Sequence, residues 1–127
     1  MDTLANVLNA LKVAETNGKD KALVHPASKM VQSVLTILKE QGYIGGYEVI
    51  HNSLDGEITI TLNGKINDCR IIKPRFPVKN VEWEKYERRF LPAQGMGILV
   101  VSTSKGVMTH TQAKEGKLGG RLLAFVY

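Results

Sequence analysis

The first 68 residues of this 127-residue chain contain no arginine; all five arginines lie in residues 69–127. Cysteine is nearly absent. Cys69 has no partner, which rules out an internal disulfide and fits a reducing compartment. With no CxxC pair, and with His25, His51 and His110 far apart in the chain, metal-ligand spacing is missing too. The glycines form neither a GxGxxG nor a Walker loop, and no serine sits in a nucleophile elbow. Ser102 or Ser104 with His110 as base is the nearest thing to a catalytic pair, but a histidine inside a capped helix need not face them. No apolar run approaches the ~20 residues of a membrane span. The N-terminus opens with Asp2 and lacks the apolar core of a signal peptide. The expectation is a soluble cytoplasmic protein that is not an enzyme, with no cofactor, metal or membrane partner.

What is present is a hydrophobic fraction of 43% against 23% charged residues, which makes the chain globular rather than disordered. The length suits one domain or two small halves. The net charge of +5 divides unevenly. Residues 1–68 hold six lysines against eight acidic residues, a net of −2; residues 69–127 hold eleven basic residues against four acidic ones, a net of +7. One strongly basic half argues for a polyanionic partner, with a merely solubilising surface as the alternative.

Leu4, Val7, Leu8, Leu11 and Ala14 fall at helical spacing, so a helix is expected over 3–16, capped by Asp2 or Thr3 and ended by Asn17-Gly18. Lys21 to His25 reads as a strand closed by Pro26. Ser28 caps a second helix that carries Val31, Val34, Leu35 and Leu38 inward and stops at Gly42. Strands Tyr47 to His51 and Glu57 to Leu62 follow, joined through Asp55-Gly56. Beyond Asp68, Cys69 to Ile72 reads as a strand and Pro74-Arg75-Phe76-Pro77 as irregular or an edge. A helix is expected from Asn80 to Phe90, with Trp83, Tyr86 and Phe90 on one face. Then come the strand Ile98 to Val101, a short helix opened by the Thr109-x-x-Gln112 capping box and closed by Gly116, and a last strand Arg121 to Tyr127. The fold class is α+β, with an N-terminal α/β half over 1–66 and a C-terminal β-rich half with short helices over 67–127.

The stretch Ser102-Thr103-Ser104-Lys105-Gly106 reads as a loop held between a buried strand and a helix. Short hydroxyls can donate to and accept from phosphate oxygens, ribose 2′-hydroxyls and base edges. Lys105 adds charge, and Gly106 lets the backbone turn or approach closely. Gly119-Gly120 reads either as a second close approach, with Arg121 available for phosphate, or as a tight turn. The alternative for the hydroxyls is a loop that satisfies its own backbone. Because Trp83, Tyr86 and Phe90 read as core, structured RNA recognised by shape and backbone is favoured over a single-stranded stacking platform.

The run Ser102 to Thr109, with Leu118-Gly119-Gly120 and the apolar ending, resembles small-subunit ribosomal protein number eight. The resemblance covers essentially the whole chain, including His25 to Lys29, Gly42-Tyr43-Ile44-Gly45, Gly64 to Asn67, Ile72 to Val78 and Phe90-Leu91-Pro92-Ala93. The Ile72 to Val78 and Phe90 to Ala93 blocks, and the ending Gly120 to Tyr127, resemble the archaeal and eukaryotic type. The resemblance implies a primary binder of the central domain of small-subunit ribosomal RNA, acting early in assembly beside neighbouring ribosomal proteins and monomeric off the ribosome. It carries the main RNA contact to Ser102, Thr103, Ser104, Lys105, Gly106, Gly119 and Gly120, beside Arg121. It carries a secondary contact to Thr3, Asn6, Ser28 and Lys29. Arg121 stands where bacterial members carry an acidic residue. A free-standing RNA-binding translational regulator is the second functional class.

Overall fold

A computed structural model describes residues 3–25, 27–50, 56–93 and 95–127. The chain divides into two compact units, Met1–Asp68 and Cys69–Tyr127. The expected division after residue 66 thus falls two residues early. Ile66 is buried, and Asp68 reaches back to Lys12 of the first helix at 2.8 Å. Both belong with what precedes them.

The first unit runs α1 (Thr3–Thr16), β1 (Lys21–Val24), α2 (Lys29–Glu40), β2 (Ile44–Ile50) and β3 (Glu57–Leu62). β3 lies between β1 and β2 in an antiparallel three-stranded sheet. The apolar stripe of α1 is buried as its spacing requires, and so are Val31, Val34, Leu35, Ile37 and Leu38 of α2. Ile58, Ile60 and Leu62, at alternate positions of β3, complete this core. Thr3 is the first residue of α1 and not its cap; Asp2 lies outside the described residues. Ser28 does cap α2, accepting from the Val31 N–H at 3.2 Å. Gly18 and Gly42 take the left-handed φ of 69° and 81° that lets each helix end sharply. β2 begins at Ile44, ahead of the expected Tyr47, because its register shifts between Ile44 and Gly46 and so admits the two glycines. His51 and Asp55 lie outside the described residues.

The second unit contains β4 (Cys69–Ile71), β5 (Pro77–Val78), α3 (Trp83–Phe90), β6 (Ile98–Thr103), β7 (Gly106–Thr109), α4 (His110–Glu115) and β8 (Gly120–Val126). Its antiparallel sheet has the order β4-β8-β6-β7, and β5 also pairs with β8. The last strand is therefore interior, bonded to β6 on one side and to two short strands on the other. Trp83 and Tyr86 pack with Leu99, Val101 and Leu122 in the core. The Trp83 indole N–H is satisfied by the Leu118 carbonyl at 3.1 Å. Cys69 is buried and free.

Gly116 closes α4 as expected, as its C-cap with a helical φ of −81°, and Lys117 after it is left-handed at 55°. Two expectations change here. α3 starts at Trp83 rather than Asn80, since the Glu82 carboxylate accepts from the Lys79 N–H at 3.0 Å, in the turn before the helix. The second and larger change concerns 102–109. Val107 and Met108, together with Gly106 and Thr109, form the strand β7, so the polar stretch is the tip of a hairpin and not a loop between a strand and a helix.

Gly120 fixes how closely β8 can lie against β6. A Cβ built there would stand 2.3 Å from the Ser102 carbonyl oxygen, and one on Gly119 would stand 2.8 Å from that of Val78. Gly106 differs: its φ is 110°, and a Cβ would meet nothing. Gly120→Ala is expected to lower stability by about 3 kcal/mol through overpacking. Gly106→Ala should cost about 1–2 kcal/mol through backbone strain alone. Urea denaturation of the two variants checks this order.

Candidate nucleic-acid interface

The β6–β7 hairpin is built from cross-strand pairs Val101–Met108, Ser102–Val107 and Thr103–Gly106, with Ser104 and Lys105 at the turn. Ordinary residues can occupy that turn because Gly106 takes the positive φ that returns the chain. The three hydroxyls do not do the same work. Thr103 Oγ1 donates to the Gly106 carbonyl at 2.9 Å and accepts from the Lys105 N–H at 3.2 Å. Its hydroxyl therefore braces the turn, as the self-satisfied alternative requires. The hydroxyls of Ser102 and Ser104 bond to no other described residue. Ser102 is half-buried, while Ser104, Lys105 and Gly106 are exposed.

The same register brings in β8. Ser102 is opposite Arg121 and Thr103 is opposite Gly120, so the polar turn and the Gly119-Gly120 segment share one end of the sheet. Arg121 is exposed and lies opposite Pro77 on its other side, donating from Nη1 to the Arg75 carbonyl at 3.4 Å. An open groove of about 380 Å³ lies beside these strands, lined by Pro77, Val78, Lys79, Glu82, Gly120 and Arg121. The glycines thus serve strand packing first, and that packing is what places Arg121 beside Ser102. Sequence reasoning missed the Pro77–Glu82 wall, since a pairing across more than forty residues leaves no local pattern. The lysine and arginine density around it was the available signal.

The secondary set falls in the first unit. Thr3 and Asn6 occupy the first turn of α1, and Lys29, which is exposed, opens α2. The Ser28 oxygen is engaged as the cap of α2, which leaves its O–H to donate. The two sets stand on different units.

His110 has a structural task. The Leu99 N–H donates to its Nδ1 at 3.1 Å, so Nε2 carries the proton and donates to Glu87 Oε1 at 2.9 Å. Lys114 pairs with the same carboxylate. Burial pushes the imidazole below its ordinary value, and it outweighs the Glu87 carboxylate, which pulls the other way. A buried histidine with both ring nitrogens committed ties α3, α4 and β6 together and has no nitrogen left for acid–base work. Among the described residues no group of three or more His, Cys, Asp or Glu could hold a metal ion, and no helix is long and apolar enough to cross a membrane.

A basic β-rich unit whose sheet ends in a hydroxyl-bearing hairpin has the surface chemistry that suits a polyanion. Comparison with known families makes this specific. The chain matches the family model of ribosomal protein S8 over residues 2–127, and it belongs to that family. It is accordingly a small-subunit ribosomal protein that binds ribosomal RNA, a structural constituent of a ribonucleoprotein in translation.

The His110 linkage gives a prediction with a definite sign. A folded-state pKa below the unfolded value of about 6.5 means the contribution is fully present above pH ~6.5 and is lost as pH falls through the folded value. Denaturant midpoints should therefore drop on acidification. His110→Gln should flatten that drop by at most about 1.4 kcal/mol per pH unit, measured as the difference between the two proteins over a pH series.

Proposed function

We propose that this chain is a primary binder of the central domain of small-subunit ribosomal RNA, gripping it with the β6–β7 hairpin and assisting early assembly. The observation that carries the reading is the pair of uncommitted serine hydroxyls, Ser102 paired opposite Arg121 and Ser104 in the adjoining turn. Hydroxyls on a narrow hairpin can enter the wide, shallow minor groove of an RNA helix and meet 2′-hydroxyls and base edges there. Gly106 and Gly119-Gly120 keep the surrounding backbone low. Lys105 and Arg121 neutralise flanking phosphates, and Thr103 holds the turn in shape. Thr3, Asn6, Ser28 and Lys29 form a lesser contact to another RNA segment. The protein is of the archaeal and eukaryotic type, adjoins other small-subunit proteins and is monomeric off the ribosome.

In this division of labour the cations of residues 69–127 supply salt-dependent attraction, and the serines supply discrimination. Ser104→Ala should cost on the order of 1–3 kcal/mol of binding if its buried RNA partner is left unpaired, with little change in salt dependence. Lys105→Ala should instead flatten the slope of log affinity against log salt by about 0.7–0.9, the share of one phosphate. Filter binding of both variants to small-subunit RNA over a salt series decides the matter; equal slopes with equal losses would sink the division. Co-sedimentation with small subunits through a salt wash separates the ribosomal role from a free-standing regulator of messages.

A further inference from the structure

One charged feature of the second unit lies outside this hairpin. α3 exposes Lys85, Arg88 and Arg89, and Lys85 and Arg89, four residues apart, share a flank. The Lys85 ammonium stands 5.5 Å from the Tyr86 ring centroid. The Arg89 guanidinium stands 5.0 Å from that of Phe76 and 5.2 Å from that of Phe90. The Phe76 and Tyr86 rings are themselves 6.0 Å apart, so both cations rest on one bed of three aromatic rings. Neither pairs with a carboxylate among the described residues, although Glu82, Glu84 and Glu87 are all close in sequence.

An ordinary solvated charge is mobile and pays to be ordered when it binds. A cation held against aromatic rings has already lost part of that freedom and keeps its N–H donors. Arg89 can then offer a forked grip on phosphate oxygens. The bed also connects to the hairpin. Phe76 follows Arg75, whose carbonyl accepts from Arg121, and the Phe76 carbonyl accepts from the Leu122 N–H at 3.1 Å. Arg121 in turn lies opposite Ser102.

We propose that Lys85 and Arg89, held over Phe76, Tyr86 and Phe90, form a second phosphodiester-binding surface that extends the RNA contact from the hairpin across β8 to α3. This rests on the hairpin reading above and adds a sequence-blind contact to it. The test measures filter binding of Lys85→Gln, Arg89→Gln and Ser104→Ala over a salt series. Two probes are used: small-subunit ribosomal RNA and a plain, fully paired RNA duplex. Removing either cation should weaken binding to both probes and lower the salt slope by about 0.7–0.9 each. Ser104→Ala should weaken binding to the ribosomal RNA alone. Thermal melting accompanies each variant; if Arg89→Gln loosens the aromatic bed, Lys85→Gln, which overlies a ring already buried, carries the comparison. Unchanged slopes in folded Lys85→Gln overturn the proposal while leaving the hairpin reading intact. A Ser104→Ala variant that binds ribosomal RNA as the parent does overturns the hairpin reading instead.

Discussion

The second unit depends on how closely β8 lies against β6 at Gly120. With a Cβ there only 2.3 Å from the Ser102 carbonyl oxygen, no other residue fits without separating the strands. β8 also pairs with β4 and β5, so this one approach sets the positions of three neighbours. It fixes β6 where that strand enters the hairpin turn, puts Arg121 opposite Ser102 and brings Pro77 to the far side of Arg121. A surface assembled from residues 75 to 121 is thus held in a fixed shape by main-chain bonding in a sheet.

Behind that surface the polar atoms are spent on structure. Glu87, His110 and Lys114 form a bonded cluster whose histidine takes the Leu99 N–H of β6, the strand that ends in the hairpin. Buried and neutral, the imidazole satisfies a main-chain donor that would otherwise cost about 1–3 kcal/mol. The contrast runs through the unit: Glu87, His110 and Lys114 are bonded to one another, while the Ser102 and Ser104 hydroxyls bond to no other described residue and Lys85 and Arg89 of α3 are exposed.

Local chemistry was legible in the sequence. The α1 and α2 stripes, the Ser28 cap, the Thr109–Gln112 capping box and the proline-marked edge at Pro77 all follow from short-range rules, and the structure has them. The hairpin was not legible as one. Gly106-Val107-Met108-Thr109 is short, and its strand character comes from pairing with β6, to which no residue within it points. The Thr103 hydroxyl shows the same limit: a Ser-Thr-Ser run looks uniform, yet only the turn geometry decides that the middle hydroxyl braces while the outer two do not. The aromatic bed escaped for a related reason. Trp83 and Tyr86 are buried as their spacing requires, but Phe90 is only half-buried, and Phe76, from a distant segment, completes the support for Arg89.

The central claim is that the end of the sheet carrying Ser102, Ser104 and Arg121 reads one helix of ribosomal RNA. Footprinting of small-subunit RNA with and without the protein tests it most directly. The account predicts protection concentrated on the minor-groove side of one helix in the central domain, weakened by Ser104→Ala and kept with distant surface changes. Protection that is absent from the central domain, or that is unchanged when Ser104 is replaced, would contradict it.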